Sequence, residues 1–220
     1  MQADKLISST IIPLHPQDSG ERAIELMNQF RINHLPVVRD NFFLGVISDR
    51  EIEIWNSKKD YVEEHLHNLA SPYVLSNQHL FDIIEVLEKN NLSIIPVLNK
   101  DQKYLGVIKA KKLLYSIAKS AVIQSPGAVI VLELNNRNYS MTEISNIIEN
   151  NNIKILSSYI TSNNDSSNIE VTIKLNSTEL NAVIKDFERY GYTITESYKE
   201  DNSNINFLER YEQLMRFLDP

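Results

Sequence analysis

Apolar positions along this chain fall into two kinds of cluster, one spaced as on a helix and one nearly continuous, with polar punctuation between them. Ala23, Ile24, Met27, Phe30 and Ile32 recur roughly at helical spacing, which predicts a helix over residues 20–30. Asp18, with Glu21 three residues later, has the form of its N-cap. Residues 35–38 and 43–48 are short β-branched runs parted by the polar turn Arg39-Asp40-Asn41, the pattern of a hairpin. The same order then returns: Asn77 as cap, Ile83, Ile84, Val86 and Leu87 on a helix, residues 94–98 as strand, 99–102 as turn and 104–109 as strand. Each hairpin is closed by a predicted helix, over residues 51–56 and 111–118.

The two stretches are a duplication. HLPVVRDNFFLGVISDREI (34–52) and SIIPVLNKDQKYLGVIKAKKL (93–113) align Pro36-Val37 on Pro96-Val97 at an offset of 60, and Leu44-Gly45-Val46-Ile47 on Leu105-Gly106-Val107-Ile108 at 61. One extra residue therefore lies in the second turn. A strand-turn-strand unit preceded by an amphipathic helix leaves an apolar face that its twin can cover.

Beyond Ser120 the pattern changes. Residues 127–134 (GAVIVLEL) read as a strand, and Ser140 with Glu143 forms a capping box that opens a helix through Ile144, Ile147 and Ile148. Strand-like runs at 153–161 and 169–175 are joined by the Asn/Ser-rich residues 162–168. A second helix, with Asn176 as cap and Glu179 three on, carries Leu180, Val183, Ile184 and Phe187 and ends at Gly191, suited to the left-handed position after a helix. Residues 192–198 alternate as a last strand, completing the split β-α-β-β-α-β order of ferredoxin-like domains. After the polar residues 200–205, Phe207, Leu208, Tyr211, Leu214, Met215 and Leu218 form the stripe of an amphipathic helix, which needs a surface to pack on.

Composition narrows the partners. The formal net charge is −7, with 29 acidic against 22 basic residues, and no basic stripe is long enough to track a phosphate backbone, so nucleic acid is not expected as a partner. There is no cysteine, which removes disulfides, thiol catalysis and Cys-ligated metal. No leader pattern or long apolar run is present, so a cytoplasmic protein without a membrane segment is expected.

The repeated β-α-β-β-α unit, with PV…LGVIS-x-x-E ending at Glu51 and PV…LGVIK-x-x-K ending at Lys112, resembles a tandem CBS pair, or Bateman module, over about residues 1–120. The segment from about 125 to 200 resembles an ACT domain, and together they are similar to acetoin-utilisation regulator-like CBS proteins. The implied fold class is α+β, with CBS repeats at 1–60 and 61–120, an ACT-like ferredoxin-fold domain at 121–200, and a linker and C-terminal amphipathic helix at 201–220. The resemblance implies an adenosine nucleotide in the cleft between the repeats. In the family, a Thr/Ser-x-x-Asp segment puts its carboxylate on the ribose hydroxyls and its hydroxyl near phosphate, and Ser48-x-x-Glu51 stands at that position with one extra methylene. In the second copy the same positions are Lys109 and Lys112, which donate and cannot accept from a diol.

Each candidate has a plainer reading. Ser48-x-x-Glu51 is also a well-formed capping box that satisfies a helix start with no ligand. Lys109, Lys111 and Lys112 either contact phosphate across the cleft or are solvated charges at a helix start; Arg50 has the same two readings, and His34 is either a ligand contact or a partly buried strand residue. Glu63-Glu64-His65-x-His67 invites a metal reading, but imidazoles two apart on a helix diverge and no second pair is evident; Trp55 is read as packing the inter-repeat linker. No phosphate loop, His-Glu-x-x-His or Gly-x-Ser-x-Gly is present, so no enzyme and no cofactor are expected. The expected function is a regulatory sensor of AMP, ADP or ATP, a homodimer acting on an unidentified partner protein, with Ser48, Glu51, Arg50, His34, Lys109 and Lys112 as candidate nucleotide contacts. The alternatives are an ACT-type sensor of an amino acid or other small metabolite, with the CBS pair as scaffold, and a structural interaction module without a ligand.

Overall fold

The structure, a computed structural model, describes residues 1–162 and 167–199 and divides into two compact units, Met1–Ala118 and Lys119–Pro220. The tail stripe from Phe207 to Leu218, its linker and residues 163–166 of the Asn/Ser-rich turn lie outside the described residues.

In the first unit, α1 (Gly20–Phe30) leads into the hairpin of β1 (His34–Arg39) and β2 (Phe42–Ser48), then the short α2 (Asp49–Glu53). After β3 (Val74–Leu75) the second copy follows as α3 (Leu80–Lys89), β4 (Ile94–Leu98), β5 (Tyr104–Lys109) and α4 (Ala110–Ala118). The first turn is the tight type that matches strand twist, because Asp40 and Asn41 both take positive φ, 49° and 66°. Both hairpins carry a bulge at the same place. Val37 pairs with Gly45 and Val38 with Phe43, leaving Leu44 extra, while Val97 pairs with Gly106 and Leu98 with Tyr104, leaving Leu105 extra.

The nearly continuous apolar runs follow from burial on both strand faces: all five residues of β4 and the middle four of β1 are buried. One core joins the copies, since Ile94 and Val107 of the second pack among Leu35, Val37 and Ile47 of the first. The segments that precede each copy cross over to the other hairpin. Ser8 donates its N–H to the Val107 carbonyl at 2.8 Å, and the Ala70 carbonyl accepts from Val46 N at 2.8 Å. Gly45 and Gly106 make these approaches possible. A Cβ on Gly45 would stand 2.6 Å from Leu69 Cβ, and one on Gly106 would stand 2.7 Å from Ile7 Cγ2.

In the second unit α5 (Ala121–Gln124), β6 (Ala128–Asn135), α6 (Met141–Asn150), β7 (Ile155–Ser162), β8 (Asn168–Leu175), α7 (Asn181–Arg189) and β9 (Thr193–Lys199) follow in order. The sheet order is β7-β8-β6-β9, every neighbour antiparallel, with the first and third strands central as in the split arrangement. Its core is built from Ile130, Leu132, Val171 and Ile173 on one sheet face and Ile144, Ile148, Val183 and Phe187 on the helices. Gly191 takes φ +80° just after α7, as its position required.

Several caps differ from expectation. Ser19, and not Asp18, caps α1 by accepting from Arg22 N at 3.2 Å; the Asp18 carboxylate instead accepts from His15 N at 2.7 Å. His79 takes the place expected of Asn77, its N–H donating to Asp82 at 2.8 Å. Asn176 is drawn away from α7 because its side-chain oxygen accepts from Lys154 N at 2.7 Å, and α7 begins at Asn181. α2 covers only Asp49–Glu53, and Trp55 beyond it packs into the core. Only half of the Ser140 box forms: its hydroxyl accepts from Glu143 N at 3.3 Å, while the Glu143 carboxylate accepts from Tyr192.

Candidate functional site

β2 ends at Ser48, whose extended backbone makes it the N-cap of α2. The capping box is complete. Glu51 N donates to Ser48 Oγ at 3.2 Å, and Glu51 Oε2 accepts from both Ser48 N at 2.6 Å and Ser48 Oγ at 2.7 Å. His34 lies directly across the hairpin from Ser48. Beside it, the Asn33 side chain donates to Asp49 at 2.6 Å.

Ser93, from the other copy, links to this corner. Its hydroxyl accepts from Asn33 N at 3.0 Å and meets His34 Nδ1 at 3.1 Å, and its own N–H donates to His34 Nδ1 at 3.2 Å. A backbone N–H can only donate, so Nδ1 is the unprotonated acceptor and the neutral ring carries its hydrogen on Nε2. Burial lowers the His34 pKa below the ordinary 6.5, and Arg50 adds to this, against the carboxylates of Asp49 and Glu51, which raise it. A polar notch of about 400 Å³ opens here, lined by Asn33, His34, Ser48, Arg50, Asn91 and Ser93 among others.

Glu51 faces the other way. It lines a recess of about 490 Å³ with Ile47, Trp55, His65 and Leu69. The Trp55 ring stacks on His65 with centroids 3.8 Å apart and planes 10° from parallel. His65 Nε2 is buried 3.8 Å from an Asp60 oxygen, and among the described residues no group of three His, Asp or Glu is placed to hold a metal ion. The Ser48–Glu51 pair is thus the ridge between a polar notch and a more apolar recess.

Of the six candidates, His34, Ser48 and Arg50 meet in the notch and Glu51 stands behind it. Lys109 and Lys112 line neither cavity: Lys109 Nζ donates to the Phe30 carbonyl at 3.2 Å, and Lys112 Nζ donates to the Ile7 carbonyl at 3.0 Å. Sequence reasoning missed Asn33 and Ser93. The repeat offset was the available signal, because 60 residues separate them and both stand immediately before the Pro-Val strands.

The second unit has a recess of its own, about 420 Å³, lined by Glu133, Asn135, Asn138, Glu143 and Tyr192 among others. Tyr192 donates to Glu143 at 2.9 Å, and burial together with that carboxylate pushes its phenol up to about 12.

A family model described as CBS domain matches residues 3–53 and again 65–119. The chain is 22% identical over 116 residues to an inosine-5'-monophosphate dehydrogenase of Methanocaldococcus jannaschii, covering 51% of this chain and 23% of that protein. It is 26% identical over 113 residues to a choline transport ATP-binding protein of Bacillus subtilis, covering 51% of this chain and 29% of that protein. The chain thus spans less than a third of the length of these curated relatives. The crystal structure of a CBS domain pair/ACT domain protein from Thermotoga maritima is similar at a TM-score of 0.47 and 15% identity, covering 54% of this chain and 98% of that one.

Proposed function

Because residues 3–53 and 65–119 of this chain are a tandem pair of CBS domains, we propose that it is a non-catalytic regulatory module that binds an adenosine nucleotide of the AMP, ADP or ATP class beside Ser48 and Glu51. The observation that carries this reading is the ridge itself. Ser48 and Glu51 stand between a polar notch holding Arg50 and His34 and a recess walled by Ile47, Trp55 and Leu69. The first has the chemistry for phosphate and the second for a flat base, with a carboxylate between them for a ribose diol. The capping box does not exhaust that carboxylate. Both of its bonds use Oε2, leaving Oε1 to accept from a ligand. Ligand occupancy then alters the activity of a partner protein, and the dehydrogenase and transport activities of the longer relatives are not needed for this role.

The test is a thermal-shift panel of AMP, ADP, ATP, S-adenosylmethionine and the amino acids. A ligand at 100 times its Kd adds about 2.7 kcal/mol to the native state, which is readily read as a rise in Tm. A panel in which no adenylate raises Tm ends this reading.

A second reading has its own support in the ferredoxin-like unit, which resembles an ACT domain and opens a polar recess beside Glu133, Glu143 and Tyr192. There the ligand is an amino acid or similar metabolite whose ammonium group meets those carboxylates. In the same panel this reading is expected to give a shift with an amino acid and none with adenylates.

A further inference from the structure

The two copies build the same corner twice, and the second corner is filled. At an offset of 61, Ser48, Arg50 and Glu51 correspond to Lys109, Lys111 and Lys112; at 60, Phe30, Arg31 and Asn33 correspond to Asn90, Asn91 and Ser93. The backbones agree with this correspondence. Arg31 and Asn91 take φ of 53° and 49°, and the crossing segments at Ile7-Ser8 and Leu69-Ala70 press on Gly106 and Gly45 alike.

In copy one the gap between the start of α2 and the end of α3 is the open notch, and the gap between Glu51 and Leu69 is the open recess. The short Ser48 and Glu51 side chains turn onto each other and span neither gap. In copy two both gaps are bridged. Lys109 reaches from the start of α4 to the carbonyl of Phe30, the last residue of α1, with its ammonium 5.7 Å from the centre of the Phe30 ring. That carbonyl is one of those a helix end leaves unpaired, and it carries the negative end of the helix dipole. Lys112 reaches to the carbonyl of Ile7, the counterpart of Leu69, in the crossing segment. Both lysine side chains are half-buried, whereas Lys111 between them is exposed.

We propose that Lys109 and Lys112 close the second half of the cleft from within, each ammonium standing where copy one leaves room for ligand, so that the chain takes one adenylate per CBS pair. The ligand's identity rests on the reading above; the closure does not. A bound nucleotide in copy one then ties the two repeats together as the lysines already do in copy two.

Two measurements on the full chain test this. The first needs no ligand: brief acetylation with acetic anhydride, followed site by site with mass spectrometry, is expected to modify Lys109 and Lys112 roughly 10-fold more slowly than Lys111, because each must first give up a charged hydrogen bond. Equal rates at the three positions overturn the closure. The second is calorimetric titration with AMP, expected to give one site in the native chain and two in the Lys109→Ser, Lys112→Glu double variant, which copies the first corner into the second. Two sites in the native chain, or one site in a folded double variant, overturn the inference and leave the nucleotide reading standing. No AMP binding at all overturns the nucleotide reading, and the acetylation rates then decide the closure alone, as they do if the double variant fails to fold.

Discussion

In the proposed site Glu51 serves twice: Oε2 completes the α2 cap, and Oε1, outside the capping bonds, is the acceptor offered to a ribose diol. Losing a hydrogen bond to a charged group costs about 1.5–3 kcal/mol, so Glu51→Ala is expected to weaken AMP binding roughly 10-fold to 100-fold by calorimetry. Glu51→Gln keeps an acceptor for Ser48 N and isolates the charge, so it should retain the cap and still lose affinity; unchanged affinity in both variants would remove Glu51 from the site. His34 has a different signature. Its ring is held neutral by the Ser93 N–H and by burial, and its folded pKa lies below 6.5. Well above pH 6.5 neither state binds the proton and His34 adds no pH dependence. As pH falls below 6.5 the unfolded chain protonates first, so stability drops until the lowered folded value is passed. Urea midpoints on either side of pH 6.5 should therefore fall less for His34→Asn than for the native chain.

The elements that shape the cleft are the two bulged hairpins, and their glycines differ in one respect. Gly45 and Gly106 both lie under a crossing segment, but only Gly106 has a strained φ for other residues, at +142°. Overpacking a tight core costs about 1–3 kcal/mol. Gly45→Ala is expected to fall in that range and Gly106→Ala to exceed it, a ranking that denaturant midpoints check directly; the reverse order would mean the Ile7 segment yields more easily than its backbone position implies. At the same scale, Ser48→Ala removes the α2 cap and should cost about 0.5–2 kcal/mol. The helices themselves were legible from spacing. α1 begins and ends at the residues the apolar pattern gave, because a 3.6-residue stripe buries Ala23, Leu26 and Met27 together. The caps were less legible, since Asp18, Ser19, Asn77 and His79 all can accept at a helix start, and competing backbone donors decide the outcome: His15 N takes Asp18, and Lys154 N takes Asn176 from across the sheet unit.

At the scale of the whole molecule, each unit has a core of its own, with Leu35, Val37 and Ile94 in one and Ile130, Ile148 and Phe187 in the other. Exposed apolar residues on the CBS helices, Phe81 at 73% and Leu114 at 67% accessible, are expected to be covered by a second copy. Light scattering at micromolar concentration should then return twice the 25.4 kDa chain mass, and the monomer mass would end that expectation. The amino-acid sequence by itself determined the order of the longer helices and strands, though not the short β3 and α5, together with the duplication and its offsets and the difference in chemistry between Ser48-x-x-Glu51 and Lys109-x-x-Lys112. These are local properties: strand and helix periods, turn residues and side-chain types are written within a few residues of one another. Only the tertiary structure decided what those side chains touch. Lys109 finds Phe30 and Lys112 finds Ile7, partners 79 and 105 residues away, and Ser93 reaches His34 across 59. No periodicity encodes such pairs, because they exist only after two apolar faces have closed on each other and brought distant backbone carbonyls within reach of an ammonium group.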